Sequence, residues 1–189
     1  AFNNARALLF GGLLAHQPDA VALALAIARE RLTVVVTADG FLREGSSHYH
    51  LLFTRWVLEM LWLAKRHDHV EFVALLTPFA AALVKRCWFF LAYNERDEAW
   101  SIPLIGDVSP DCPPDWLVTL PWSTLACEVF QPDGLPPPPR QRGWSDLFGT
   151  VVGTSTQPPR LSGVFPESGW VRVDHRSWTL VLRAESTSG

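Results

Sequence analysis

The chain has 189 residues, 48% of them hydrophobic, and its 19 acidic and 16 basic side chains give a net charge of −3. That apolar content suffices for a sizeable core in one domain or two, and the mild acidity argues against wholesale binding to nucleic acid. The three cysteines, Cys87, Cys112 and Cys127, are too few for a disulfide framework and sit at no zinc-ligand spacing.

The sequence starts on "AFNNARALLF" without an initiator methionine and stops at "AESTSG" directly after a strand-like run, which reads as a piece of a longer protein. Absence of a signal peptide then carries no information about placement.

From Phe2 to about Ala15, and again from Asp19 to Val36, apolar residues crowd helical faces, with Pro18 and Asp19 marking a helix start between them. The pair reads as a helical hairpin. A third helix runs from Ser46 to about Arg66, where Tyr49, Phe53, Trp56, Met60 and Leu63 share one face by helical spacing. A fourth fits "HVEFVALLTPFAAALVKRCWFFLAY" and is expected to bend or break at Pro78. A membrane span over Val70 to Tyr93 conflicts with Glu71, Lys85, Arg86 and Pro78 at mid-bilayer depth. Most of these helices are apolar over more than one face, which implies burial on two sides, as in stacked hairpins or a toroid of helices.

After Tyr93 the periodicity dissolves into a long loop, "NERDEAWSIPLIGDVSPDCPPDWL", followed by a short helix beginning at Pro114 and Asp115. "QPDGLPPPPRQRG" is the clearest linker, its prolines favouring a stiff, extended spacer. Beyond it, Gly169 to Val173 and Trp178 to Arg183 read as two strands joined at "DHRS". An isolated two-stranded hairpin is marginal, so this part must continue beyond Gly189 or lean on the helices. The expected class is α+β, mainly α, with a helical domain over residues 1–130, a proline-rich linker over 131–160 and the start of a β domain over 161–189.

Between the second and third helices lies "TADGFLREGSSHYH", residues 37 to 50, the densest polar chemistry in the chain. Much of it suits a loop that caps a helix: Asp39-Gly40 turns the chain, and Ser46 or Ser47 accepts from first-turn amides. Helix capping does not account for a phenol between two imidazoles, His48-Tyr49-His50, at an apolar boundary, where titratable groups are the raw material of an acid-base site. A helix N-terminus, with its partial positive charge and unpaired amides, favours negative charge nearby and attracts a carboxylate ligand. A metal site built from His48, His50 and Glu44 is the competitor, although i, i+2 histidines point apart on a helix.

The combination "NNARALLFGGLL", "DGFLREGSSHYH", "IPLIGDVSPD" and the closing "WTLVLRAESTSG" resembles the heparinase II/III-type polysaccharide lyases over nearly the whole chain. The most specific match is an acid-x-Ser-x-x-Tyr-His pattern after Asp-Gly, carried by Glu44, Ser46, Tyr49 and His50. The resemblance implies an incomplete α/α toroid followed by a β-sandwich, an anionic polysaccharide bound between them, and β-elimination next to a uronic acid. It places Tyr49 on the family's catalytic tyrosine and His50 beside it, either orienting it or facing the core. The family's neutralising asparagine is expected before Ala1, and its histidine-rich motif, with any zinc, beyond Gly189. On this reading the piece is inactive alone and holds no cofactor or metal of its own, and the whole protein is periplasmic or secreted.

Supporting substrate contacts are expected from Glu44, Arg43, His48, and from Trp100 and Trp116, whose indoles flank "GDVSPD" and suit stacking on a sugar ring. Donors on the uronate carboxylate and a proton shuttle beside the ring are what such an elimination needs. Two other readings remain open: a carbohydrate-binding or exopolysaccharide-assembly protein of the same architecture without catalysis, and a glycoside hydrolase using Glu44 with Asp107.

Overall fold

The structure is a computed structural model that describes residues 2–94, 99–108, 162–175 and 178–184. Within these residues it is mainly helical, with four helices, a small two-stranded pairing and a three-stranded antiparallel sheet. The helices are α1 (Phe2–Leu14), α2 (Pro18–Val35), α3 (Ser47–Arg66) and α4 (Val70–Phe90). The strands are β1 (Ala92–Asn94), β2 (Ala99–Ser101), β3 (Gly163–Phe165), β4 (Trp170–His175) and β5 (Trp178–Arg183).

The helices pack as two hairpins, α1 on α2 and α3 on α4, with further contact between α1 and α3. Both hairpins turn by the same device. In the first, His16 sits at φ 53° while Gln17 N–H donates to Gly12 at 2.8 Å; in the second, Asp68 sits at φ 53° while His69 N–H donates to Ala64 at 2.8 Å. Each is a helix stop with a left-handed residue after the last turn, a position usually held by glycine. At Gly12 a Cβ would come within 2.8 Å of Val21 Cγ2, so the missing side chain lets α1 and α2 approach closely.

Of the expected bend or break at Pro78, no break occurs: α4 runs through it as one helix. Pro78 and Ala74 both lie on the exposed face, where water can satisfy the carbonyl that the proline leaves without a partner. By length and composition α4 could cross a membrane. In this fold it buries Phe72, Leu76, Ala80, Leu83 and Cys87 in the core that α3 completes. Burial pushes the Cys87 thiol up to about 12, against a weaker opposing bond to Thr54.

The segment after α4, expected to be loop, forms the β1–β2 pair, in which Tyr93 is registered with Trp100. The predicted strands appear as β4 and β5, with Trp170 paired to Arg183 and His175 to Trp178. β3 adds a third strand, Phe165 facing Trp170, that no periodicity announced because it is three residues long. The short helix expected from Pro114 and the proline-rich linker lie outside the described residues.

The sheet leans on the helices. Trp170 is 1% exposed and its ring meets Phe90 edge-on at 4.9 Å, while Phe165 approaches Phe41 at 5.1 Å and Phe89 at 5.3 Å. Buried Arg172 reaches the C-terminus of α4, where its Nη1 donates to the carbonyls of Trp88 (2.9 Å), Phe89 (2.6 Å) and Leu91 (2.9 Å). Trp88 O also accepts from the Leu91 N–H at 3.3 Å, and a cation suits the negative end of the helix dipole. Asp174 balances the guanidinium, accepting from Nε at 2.9 Å. The opposite face of the sheet exposes Val164, Val173, Trp178, Leu180 and Leu182.

Candidate functional site

Residues 36–46 form a tight loop wedged between α4 and the sheet. Val36 bridges Leu42, Gly40 N–H donates to the Thr37 carbonyl at 2.9 Å, and Gly40 takes φ 88°, so Asp39-Gly40 turns the chain as its sequence predicts. Phe41 plugs the loop into the core, with no exposed surface, amid Phe89, Phe90 and Trp170. The Asp39 carboxylate reaches across to the sheet and accepts from Ser168 Oγ at 2.9 Å, while its carbonyl accepts from Arg86 Nε at 2.6 Å. The Arg86 guanidinium lies 4.2 Å from the centre of the Phe165 ring, and desolvation lowers its pKa despite the opposing charge of Asp39.

Ser46 caps α3, its Oγ accepting from Tyr49 N–H at 3.0 Å and donating to the Asp107 carbonyl at 2.5 Å. Next to it, Ser47 N–H donates to the Ile105 carbonyl and Ile105 N–H donates to Ser47 Oγ, both at 3.0 Å. The segment Pro103 to Asp107 therefore clamps the start of α3. The first-turn amides of Ser47 and Tyr49 have acceptors within the protein, a correction to the expectation that they lie unpaired for a ligand. What remains of the helix terminus is its dipole.

The three rings at this terminus occupy different settings. His48 has no exposed surface, and its ring meets Tyr49 edge-on at 5.2 Å. Tyr49 is half-buried, packed against the core. His50 is 1% exposed; its Nδ1 accepts from Leu42 N–H at 3.2 Å and its Nε2 donates to the Leu83 carbonyl at 3.0 Å. Those two bonds fix the neutral tautomer. Desolvation, helped by repulsion from Arg86 and opposed by the bond to Leu83, lowers the His50 pKa to about 4. His50 thus takes the core-facing of its two expected roles, holding the 37–46 loop onto α4.

Arg43 and Glu44 are both exposed, and Arg43 Nε donates to the Val34 carbonyl at 2.9 Å. Asp107 enters the cluster through its backbone carbonyl. Trp100 lies on β2, registered with Tyr93, and Trp116 lies outside the described residues. Among the described residues no group of three or more His, Cys, Asp or Glu side chains converges in a metal-ligating arrangement, and both ring nitrogens of His50 are already engaged.

Sequence reasoning missed Arg183, Ser168 and Arg86. Arg183 lies against Gly45: a Cβ there would fall 1.7 Å from Arg183 Cζ, so any other residue would make the guanidinium shift, and the φ of 73° favours glycine. Arg183 also lies over the Trp170 ring at 5.9 Å. Gly45 is 138 positions from Arg183, and no local pattern announces such a contact. A cavity of about 590 Å³ opens beside this contact, lined by Thr37, Arg43, Phe165, Glu167, Trp170 and Arg183 among others. No family model, curated protein or solved structure matches this chain.

Proposed function

We propose that the chain is part of a polysaccharide lyase that cleaves uronic-acid-containing polysaccharide by β-elimination, with Tyr49 as the proton-transferring side chain. The observation that carries this reading is the sorting of the three rings at the start of α3: both imidazoles are buried, and the phenol alone is half-buried at the positive end of the helix. In this reading the carboxylate is neutralised by donors, the proton beside it leaves, and the glycosidic oxygen departs protonated. The helix dipole stabilises the enolate-like charge. His50 positions the loop and takes no part in proton transfer.

The proposed architecture is a helical toroid followed by a β-sandwich. Two helical hairpins closed by the same turn support the first, since a toroid is built from repeated pairs. The outward apolar face of the sheet, with Val164, Val173, Leu180 and Leu182 exposed, supports the second, since a covering sheet would bury it. Periplasmic or secreted placement, and zinc beyond this chain, belong to the same proposal.

The test is Tyr49→Phe in the full-length protein. Loss of the ultraviolet absorbance of unsaturated uronate products, with folding intact, is the expected result, and full activity in that variant ends the proposal. A carbohydrate-binding protein of the same architecture is the second reading. It is favoured by the commitment of His50 and of the Ser47 and Tyr49 amides to structural bonds. Saccharide binding without any lyase product in the intact wild-type protein would select it.

A further inference from the structure

We propose that Ser47 is a positioning residue for Tyr49, held by residues 103–107, which brace the first turn of α3; this rests on the lyase reading above and adds what keeps its phenol in place. Helices fray at their first turn, because the amides there have no carbonyl one turn back. Tyr49 lies in that turn as the third residue of α3, so the direction of its phenol depends on the turn staying helical.

An ordinary cap supplies one acceptor, and Ser46 supplies it here. Ser47 adds bonds to residues 56 and 58 positions away. Its N–H donates to the Ile105 carbonyl at 3.0 Å, its Oγ donates to the Pro103 carbonyl at 2.5 Å, and the same Oγ accepts from Ile105 N–H at 3.0 Å. Ser47 has no exposed surface, so its hydroxyl is out of a ligand's reach.

Gly106 lets the two backbones close up. A Cβ there would lie 2.7 Å from the Gly45 carbonyl oxygen and 3.0 Å from Ser46 Cα, main-chain atoms that cannot swing aside. Beside it the Asp107 carbonyl accepts from Ser46 Oγ, so Asp107 belongs to the brace through its backbone while the residue is otherwise exposed. The brace is itself anchored. Ile102 is buried in the core, Ile105 packs against it, and β2 just before them pairs with β1, which follows α4.

A proton-transferring group must sit within hydrogen-bond reach of the atoms it serves, and a displacement of about 1 Å can cost about 10²-fold in rate. Loosening this turn therefore acts on the chemical step and leaves substrate affinity almost unchanged.

The experiment compares full-length wild-type protein with Ser47→Ala, which deletes the shared hydroxyl, and Gly106→Ala, which pushes residues 103–107 off α3. Two quantities are read in each. The first is hydrogen–deuterium exchange of the amides at 47–50 and in α4; the second is kcat and KM for unsaturated-uronate release from alginate, polygalacturonate or heparan sulfate. Both variants should exchange about tenfold or more faster at 47–50 with α4 unchanged. Their kcat should fall about tenfold or more, with KM within about twofold of wild type. The α4 amides separate loosening of this turn from general destabilisation, and if one variant does not fold the other carries the test. Exchange at 47–50 no faster than wild type would overturn the brace. Faster exchange with kcat unchanged, or a rise in KM alone, would overturn the positioning role and leave the lyase reading standing. Absence of unsaturated product from wild-type protein on all three polymers would end the lyase reading, and this role with it.

Discussion

Acidification should destabilise the protein through His50 in particular. The ring is fully buried and neutral, accepting from Leu42 and donating to Leu83, and its pKa drops from 6.5 to about 4. An unfolded chain binds a proton at this residue below about pH 6.5, whereas the folded protein resists protonation until about pH 4. The stabilisation is therefore complete above the unfolded value and disappears as pH falls through the folded one. At 1.36 kcal/mol per pKa unit the difference is about 3 kcal/mol, a large share of the 5–15 kcal/mol that usually holds a domain together. Urea denaturation followed by circular dichroism, at about pH 7 and about pH 4, measures it when wild type is compared with His50→Gln. The variant is less stable at neutral pH, by about 1–3 kcal/mol, because one of the two backbone groups loses a good partner. Its decline towards acid should be the shallower by about 3 kcal/mol. Parallel pH profiles for the two proteins would refute the assignment of this linkage to His50.

Arg172→Met should lower stability by about 3–5 kcal/mol, because it removes a buried donor shared by three carbonyls at the end of α4 and the cation that balances Asp174; a guanidinium chloride midpoint loss worth under about 1 kcal/mol would contradict that role. Asp68→Gly should raise the melting temperature, since glycine relieves the left-handed backbone at φ 53° by about 1–2 kcal/mol and returns only part of that as unfolded-state entropy. A lower melting temperature would show that the Asp68 side chain, and not its backbone, matters there.

Much of the helical layer was legible because its signals are local. Apolar periodicity located α1 to α4 within a few residues, Pro18 marked the start of α2, and Ser46 and Asp39-Gly40 played the cap and turn their residue types suggest. One helix across Pro78 was legible, but not that it stays unbroken, because a proline on an exposed face leaves a carbonyl that water can reach, a circumstance that depends on burial. At the site, spacing brought Tyr49 and His50 together without revealing that His50 turns into α4, since that depends on the Leu83 carbonyl 33 positions away. The Arg172 contacts with α4 span more than 80 residues, and the seat of Arg183 at Gly45 is as remote, so both arise only from tertiary packing.

The 37–46 loop grips both layers at three points: Asp39 on Ser168, Phe41 among Phe165 and Trp170, and Gly45 under Arg183. Such a triple clasp opposes rotation of the strands against the helix pairs, so the two layers should move as one body. Under the proposed saccharide reading the cleft then has a preset width, and chain length and linkage angle of the glycan, more than its flexibility, should decide what enters.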